Sequence, residues 1–302
     1  MNHPTAIALR DLTKQYGSFT ALDHLTLEIE EGSICGLLGP NGAGKTTAMR
    51  CLLGHIRPTS GSVSLAGKPL EPATFESLAY VPEKSALYEA MTIADHLTVY
   101  RQCYRNYDPV RVAELLAMFK LDPRKKVKKL SKGQRTAVML ILALSYRPRI
   151  LILDEASSGL DPVFQRTVLD LIIDAAANGA TILFSSHQVG QVERAADRVA
   201  ILKAGRLVLD GNVDTLKGSA KVVEAIFDGS VPELNGLASD ARITRIERSG
   251  RMLRAYVNAD SDGVARHVQA LGPRNVAVLD LNLEDIFFNA VGADRAPVIG
   301  EQ

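Results

Sequence analysis

The segment Gly39–Thr46 matches the pattern of a phosphate-binding loop. It reads GPNGAGKT, follows an apolar run at Ile34–Leu38, and is followed by a helical pattern that begins at Lys45. Its glycines keep side chains away, so successive backbone N–H groups can surround a polyphosphate. Lys45 would neutralise the β- and γ-phosphates, and the Thr46 hydroxyl would hold Mg²⁺. The residues expected to contact the phosphates are Gly39, Asn41, Gly42, Ala43, Gly44, Lys45, Thr46 and Thr47.

Two carboxylates follow a second apolar run, Ile150–Leu153. Asp154, at the end of that predicted strand, suits the shell of a bound Mg²⁺, and Glu155 could polarise an attacking water. His187 follows a third run, Thr181–Phe184, and taken alone is typical of a structural histidine. Phosphate-binding loops serve kinases, GTPases, motors and transporters, so these residues alone leave the class of protein open.

Further motifs resemble those of the ATP-binding cassette (ABC) family. Leu130–Gln134 reads LSKGQ and resembles the family's signature motif, while Ser158–Asp161 resembles its D-loop. Tyr16 lies 23 residues before Gly39, where the family stacks an aromatic ring on adenine. His187 resembles the switch histidine that contacts the γ-phosphate. The resemblance extends over residues 5 to about 217, and kinases and GTPases lack this signature.

The resemblance implies an ATPase that binds ATP and Mg²⁺. Glu155 and His187 would position the attacking water, and Lys45 would stabilise the charge on the transferred phosphoryl group. The implied metal site consists of Thr46, Asp154 and Glu83.

The family resemblance also implies partners. Two such subunits sandwich two ATP molecules, with Ser131, Gly133 and Gln134 of one subunit covering the phosphate loop of the other. The second subunit would be a copy of this chain or a paralogous ATPase. A transport role would require a separate integral-membrane permease, which would hold the chain at the cytoplasmic face of the membrane. The family docks its coupling helix near residues 83–100.

Two positions depart from the usual family pattern. Lys132 replaces the first glycine of LSGGQ, and a lysine side chain that points outward is tolerable there if the motif binds phosphate through Ser131 and the helix N-terminus. Glu83 replaces the usual glutamine and adds negative charge beside the phosphates, which predicts altered coupling rather than lost activity. Such a glutamate, and the segment Leu283–Phe288, are similar to features of bacterial exporters with a C-terminal appendage. They favour export over import.

The pattern of apolar runs predicts an α/β fold, a P-loop ATPase core with a mostly parallel sheet. An antiparallel β element is expected at the N-terminus, from Ile7–Leu12 and Leu22–Ile29. Residues 84–147 show only helical patterns, which begin after the N-caps Thr92, Asp108 and Ser131, so a helical subdomain is expected there. The ATPase domain would end at residue 217.

Residues 218–302 are expected to form a small α+β accessory domain. Strands are predicted at Lys221–Phe227, Ile243–Arg248, Arg251–Val257 and Asn275–Leu281. Helices are predicted at Val264–Leu271 and Leu283–Ala290. The domain would stabilise a dimer or regulate turnover, and the sequence does not choose between these roles.

Composition excludes several other classes. The 302 residues are 46% hydrophobic and 23% charged, which is typical of a globular chain. The net charge of +1 gives no reason to expect nucleic acid as a partner. The longest apolar run, Ala137–Leu144, is far below the ~20 residues of a membrane span. The beginning of the chain lacks the pattern of a signal peptide, and three scattered cysteines favour a reducing compartment.

Alternatives remain at this stage. One is a soluble ABC ATPase that acts on a nucleic-acid or protein assembly, although such members carry paired cassettes or long coiled coils. Another is a regulatory protein that binds ATP without turnover, which Glu155 and His187 disfavour. The basic run at residues 124–129 is read as a solvated loop, with nucleotide or anionic lipid headgroups as the alternatives.

Overall fold

The computed structural model describes residues 4–234, 236–258 and 260–292. Contacts within the chain divide it into two compact units, and the division falls between Asp210 and Gly211. The sequence placed the domain boundary slightly later, after residue 217.

The first unit contains two sheets and the helices that flank them. Its strands are β1 (Thr5–Tyr16), β2 (Phe19–Glu30), β3 (Ile34–Leu38), β4 (Ser60–Leu65), β5 (Lys68–Pro69), β6 (Leu78–Val81), β7 (Ile150–Asp154), β8 (Thr181–Ser186), β9 (Arg198–Lys203) and β10 (Arg206–Asn212). Its helices are α1 (Lys45–Leu52), α2 (Ile93–Cys103), α3 (Pro109–Met118), α4 (Lys132–Leu144), α5 (Pro162–Ala177) and α6 (Val189–Ala195).

The N-terminal sheet has the strand order β2-β1-β4-β5 and is antiparallel, as predicted. β1 and β2 form a long hairpin whose turn lies at Gly17 and Ser18, so that Tyr16 and Phe19 lie opposite each other at its tip. Alternate residues of the hairpin are buried in the core that this sheet shares with α1. The hairpin therefore places two aromatic residues opposite each other at its tip.

The central sheet has the strand order β10-β9-β3-β8-β7-β6. β3 pairs in parallel with β8 and β9, and β7 pairs in parallel with β6 and β8. β3 and β7 are buried along their whole length, which explains their continuous apolar sequences. The carboxyl ends of parallel strands meet at one edge of a sheet, where ligands bind in open α/β folds. This topology brings the segments after β3, β7 and β8 together.

Residues 84–147, all of which the structure describes, contain α2, α3 and α4 and, apart from an isolated bridge between Thr92 and Lys126, no strand pairing. The three predicted N-caps are confirmed, since the side chains of Thr92, Asp108 and Ser131 each accept a backbone N–H of the following turn. Helix α4 ends at Leu144, slightly before the predicted end near Arg147.

The second unit is a four-stranded antiparallel sheet with three α-helices in its described residues. Its elements are α7 (Val213–Ser219), β11 (Lys221–Ile226), β12 (Ile243–Ser249), β13 (Met252–Val257), α8 (Ser261–Gln269), β14 (Asn275–Asp280) and α9 (Leu283–Gly292). The strand order is β12-β13-β11-β14, and α8 packs its apolar side on a core that includes Val223 and Leu253. The predicted strands and helices of this unit are present, with small shifts at their ends.

Among the described residues, we find no helix with the length and apolar character needed to span a lipid bilayer.

Candidate active site

The loop between β3 and α1 has the backbone geometry of a phosphate cradle. Gly42 and Gly44 have φ angles of 80° and 106°, in the region that favours glycine. Gly44 also has no room for a side chain, since an added Cβ would lie 2.8 Å from the Ala21 carbonyl oxygen and 2.9 Å from Leu22 Cδ2. The glycines therefore allow the loop to turn tightly while it packs against the β2 strand.

We predict that Gly44→Ala lowers the free energy of unfolding of the first unit by about 2–4 kcal/mol, because a new methyl group adds steric overlap to backbone strain. Chemical denaturation followed by far-ultraviolet circular dichroism measures this, since the chain has no tryptophan. The matched control is Gly190→Ala, whose Cβ would meet nothing within 4 Å. The control is expected to leave stability unchanged or raise it by up to about 1 kcal/mol. Wild-type stability of Gly44→Ala would contradict the packing argument.

Lys45 lies at the first position of α1, and its side chain is buried. Its ammonium donates hydrogen bonds to the carbonyl oxygens of Gly39, at 2.7 Å, and Pro40, at 3.3 Å. It also lies 3.5 Å from Oε1 of Glu155. A buried cation is thus held at the mouth of the loop by two carbonyls and one carboxylate.

Thr46 and Asp154 lie close together, although they are 108 positions apart in the sequence. The Thr46 hydroxyl donates to Oδ1 of Asp154 at 3.2 Å, and the Ser185 hydroxyl donates to the same oxygen at 2.8 Å. Asp154 is buried at the end of β7, with 2% of its surface exposed. Hydroxyl and carboxylate oxygens are ligands that Mg²⁺ prefers, and Mg²⁺ uses few protein ligands beside phosphate oxygens. The donor set therefore fits a magnesium site.

Glu155 and His187 are in direct contact. Nδ1 of His187 lies 2.6 Å from Oε2 of Glu155, and the Glu155 side chain is largely buried whereas His187 is partly exposed. Since an ionised carboxylate only accepts hydrogen bonds, we assign the shared proton to Nδ1, which leaves Nε2 available to another partner. Glu155 has φ of 49°, an uncommon value for a residue with a side chain, and its N–H donates to the Ser185 hydroxyl at 2.9 Å.

Ser185 was missed by the sequence reasoning. Its hydroxyl joins Asp154 to the Glu155 backbone, and it follows directly after the predicted strand Thr181–Phe184. A second buried group lies beside it, in which the hydroxyls of Ser157 and Ser186 both donate to Gln191 Oε1. The polar sequence Ser185-Ser186 at the end of an apolar strand was the available signal. These bonds fix the ends of β7 and β8 relative to each other.

The site residues surround a cavity of about 420 Å³. Its walls are formed by Phe19, Ala21, Asn41, Gly42, Ala43, Gly44, Lys45, Thr46, Thr47, Glu83, Glu155, Ser158 and His187. Glu83 is exposed at this wall.

The edge of the sheet beside the cavity is negatively charged. Burial, followed by the nearby carboxylate of Asp154, raises the pKa of Tyr80 to about 12, while the Arg50 cation opposes this shift and the Glu83 carboxylate adds to it. The cavity walls of the described chain carry the Lys45 ammonium and the carboxylates of Glu83 and Glu155, and Asp154 is hydrogen-bonded to the wall residue Thr46. A bound polyphosphate would add further negative charge to this region.

Tyr16 lies at the tip of the β1–β2 hairpin with about half of its surface exposed. The Lys14 ammonium lies 4.9 Å from the centre of its ring. Phe19, its cross-strand neighbour, is 63% exposed and lines the cavity, whereas Tyr16 does not. Sequence reasoning did not single out Phe19, although a short hairpin at Gly17-Ser18 would have paired it with Tyr16.

Ser131, Gly133 and Gln134 lie at the start of α4, and none of them lines the cavity of this subunit. Ser131 and Gln134 cap the helix reciprocally, each accepting the other's backbone N–H at 3.2 Å. Lys132 is exposed and does not line the cavity, and its ammonium donates to the Ser158 carbonyl oxygen at 2.6 Å.

Comparison with known proteins identifies the family. The family described as ABC transporter matches residues 22–158. The chain is 33% identical over 295 residues to YhaQ, an ABC transporter ATP-binding protein of Bacillus subtilis, covering 95% of this chain and 99% of the relative. The chain belongs to the ABC transporter ATP-binding proteins.

One further relative and one solved structure support the same family. The Nod factor export ATP-binding protein I of Rhizobium etli is 32% identical over 304 residues, covering 96% of this chain and 94% of that protein. A solved structure of an ATP-binding subunit of an ABC transporter has a TM-score of 0.66 and 31% identity, covering 71% of this chain and 92% of that one. The chain is therefore an ABC ATPase with the predicted α/β cassette fold, and it binds ATP.

Proposed function

We propose that the chain is the ATP-hydrolysing subunit of an exporter and drives a separate membrane permease. The triphosphate lies along the loop from Gly39 to Thr46, with its negative charge on the backbone N–H groups and on the Lys45 ammonium. The adenine lies against the hairpin tip, where Tyr16 stacks on it. Phe19 at the cavity wall supports this placement, because the two side chains are cross-strand neighbours.

Thr46, Asp154 and Glu83 are proposed to hold Mg²⁺ at the phosphates. When bound, Mg²⁺ offsets phosphate charge and orients the β- and γ-phosphate oxygens. The hydroxyl of Thr46 and Oδ1 of Asp154 already lie within 3.2 Å of each other, which supports the assignment of these two residues. The position of Glu83 on the cavity wall supports its inclusion.

Hydrolysis is proposed to proceed by attack of water on the γ-phosphorus, which gives ADP and phosphate. The Glu155 carboxylate accepts the proton of the attacking water, and His187, in the form with a proton on each ring nitrogen, donates from Nδ1 to that carboxylate and from Nε2 to a γ-phosphate oxygen. The Lys45 ammonium stabilises the charge on the transferred group. The single observation that carries the proposal is this contact of Glu155 with both His187, at 2.6 Å, and Lys45, at 3.5 Å.

The complete site is proposed to need a second ATPase subunit. Ser131, Gly133 and Gln134 lie outside the cavity of their own subunit, at the N-terminus of α4, where backbone N–H groups suit a phosphate. We assign them to the ATP held by the partner subunit, which is a second copy or a paralogue. The two ATPase subunits would close on ATP and open after hydrolysis, and this motion would move the permease.

Export is proposed as the direction of transport, at the cytoplasmic face of the membrane. It is supported by the similarity over nearly the whole chain to a protein named for Nod factor export. We predict that the tagged chain, isolated from its native membranes in mild detergent, co-purifies with an integral-membrane protein in a fixed ratio. Recovery of the chain only with ribosomes, nucleic acid or soluble assemblies would contradict the transporter assignment.

A further inference from the structure

Lys132 connects the signature motif to the loop that follows β7. It occupies the first position of α4, and its ammonium donates a 2.6 Å hydrogen bond to the carbonyl oxygen of Ser158, 26 positions later. A cation at the N-terminus of a helix is electrostatically unfavourable, because the helix dipole is positive there. The lysine at this position is therefore stabilised by an acceptor outside the helix, and Ser158 supplies it.

The loop around Ser158 accommodates the lysine. Gly159 has φ of 67°, and a Cβ added there would lie 2.7 Å from the Lys132 ammonium nitrogen. The space beside residue 159 is thus occupied by the ammonium group. Gly133 lies against the same loop, since its added Cβ would be in ordinary contact, 3.7–3.8 Å, with Phe164 and Leu160. The start of α4 and this loop pack as neighbours.

The same loop is connected to the residue that we assign as the general base. Ser158 N–H donates to the carbonyl oxygen of Glu155 at 2.9 Å, and Ser158 lines the cavity. Hydrogen bonds therefore run from the Lys132 ammonium to the Ser158 carbonyl, and from the Ser158 N–H to Glu155. Glu155 has a left-handed backbone conformation, which is strained for a residue with a side chain. The geometry of this turn is therefore maintained by hydrogen bonds from neighbouring segments.

We propose that Lys132 is a positioning residue for ATP hydrolysis, because it holds the Ser158 loop, and through it Glu155, in the geometry that the reaction requires. The inference rests on the proposed role of Glu155. Lys132 acts on turnover through the Ser158 loop of its own subunit and is not a ligand of the ATP bound in that subunit. Its ammonium is already engaged by Ser158, and Lys132 does not line the cavity.

The first test is steady-state ATP hydrolysis by Lys132→Met, which keeps the length of the side chain but removes the donor. We expect kcat to fall by about fivefold, with the KM for Mg·ATP within twofold of wild type, because a charge-assisted hydrogen bond outside the binding site is lost. Lys132→Arg, which can still donate to the carbonyl, is expected to restore at least half of the wild-type kcat. Lys68→Met, a change of an exposed lysine in β5, is the matched control and should leave both constants unchanged.

Two kinetic outcomes would overturn the proposal. One is a wild-type kcat for Lys132→Met, and the other is a raised KM with an unchanged kcat, which would make Lys132 a phosphate ligand. Glu155→Gln, measured alongside, tests the assignment of the general base separately from the role of Lys132. If Glu155→Gln keeps wild-type turnover, the assignment of the general base fails.

The second test is hydrogen exchange of the full-length chain, which does not depend on activity. Backbone amides of residues 155–161 should exchange faster in Lys132→Met than in wild type, and those of β3 and α5 should not change. Lys132→Arg should return the exchange of residues 155–161 towards wild type. Unchanged exchange of residues 155–161 in Lys132→Met would overturn the proposal that Lys132 holds the Ser158 loop, whatever the result for Glu155→Gln.

Discussion

Replacing Glu155 with glutamine is expected to lower ATP turnover by about 10²- to 10⁴-fold while ATP binds at least as tightly as to the wild-type chain. The amide has nearly the shape of the carboxylate but cannot accept the proton of the attacking water. It also removes a negative charge that lies 3.5 Å from the Lys45 ammonium, beside the expected position of the γ-phosphate. Single-turnover hydrolysis and equilibrium binding of Mg·ATP measure the two effects separately.

The matched control is Glu76→Gln, the same change at an exposed position away from the cavity, which should have wild-type turnover and binding. A second variant, His187→Ala, removes the group that holds Glu155 through Nδ1 at 2.6 Å. It should also lower turnover, with little effect on binding. Wild-type turnover of Glu155→Gln would show that another group activates the water.

Replacing Lys45 with alanine is expected to weaken Mg·ATP binding by about 10- to 100-fold, the effect of losing one or more charge-assisted hydrogen bonds. Lys45 is buried and lines the cavity, and no other basic side chain except His187 is among the cavity walls of the described chain. Its loss also leaves Glu155 without its cationic neighbour. Isothermal titration with Mg·ATP is the measurement.

Lys68→Ala, a change of an exposed lysine in β5, is the control for Lys45→Ala and should bind Mg·ATP normally. Circular dichroism must show that Lys45→Ala is folded, because its ammonium also bonds to the carbonyls of Gly39 and Pro40. Undiminished affinity in a folded variant would mean that the phosphates do not lie beside Lys45.

Much of the fold could be predicted because its signals are local. The strand Ile34–Leu38 was predicted with the bounds that the structure gives, since a fully buried strand followed by glycine has an unbroken apolar sequence. Thr92 and Asp108 were recognised as N-caps because a capping side chain bonds to its own next turn. The short strand Leu78–Val81 was missed, because its sequence, LAYV, is less strongly apolar than a run such as Ile150–Leu153.

The geometry of the site could not be read from the sequence. Glu155 and His187 were both assigned to the attacking water, but their contact depends on β7 and β8 being neighbours in the sheet. The same holds for Thr46 and Asp154, which only the order of the parallel strands brings together. Motifs identify the chemical groups, whereas tertiary pairing determines the distances between them.

The hydrogen bond of Lys132 could not be predicted for a different reason. The sequence showed that a lysine replaces a glycine, but the acceptor that engages it is a backbone carbonyl, and backbone carbonyls have no sequence signature. The role of Tyr16 remains a prediction, and the structure adds Phe19 as the aromatic side chain that lines the cavity.

The most direct test of the central claim is a crystal structure of the Glu155→Gln variant with ATP and Mg²⁺. The account predicts that the triphosphate lies along residues 39–46 with the γ-phosphate within hydrogen-bond distance of the Lys45 ammonium. The metal should contact Thr46, and a water should lie between residue 155 and the γ-phosphorus. A nucleotide bound elsewhere on the chain, or in this cavity with residue 155 remote from the γ-phosphate, would contradict the account.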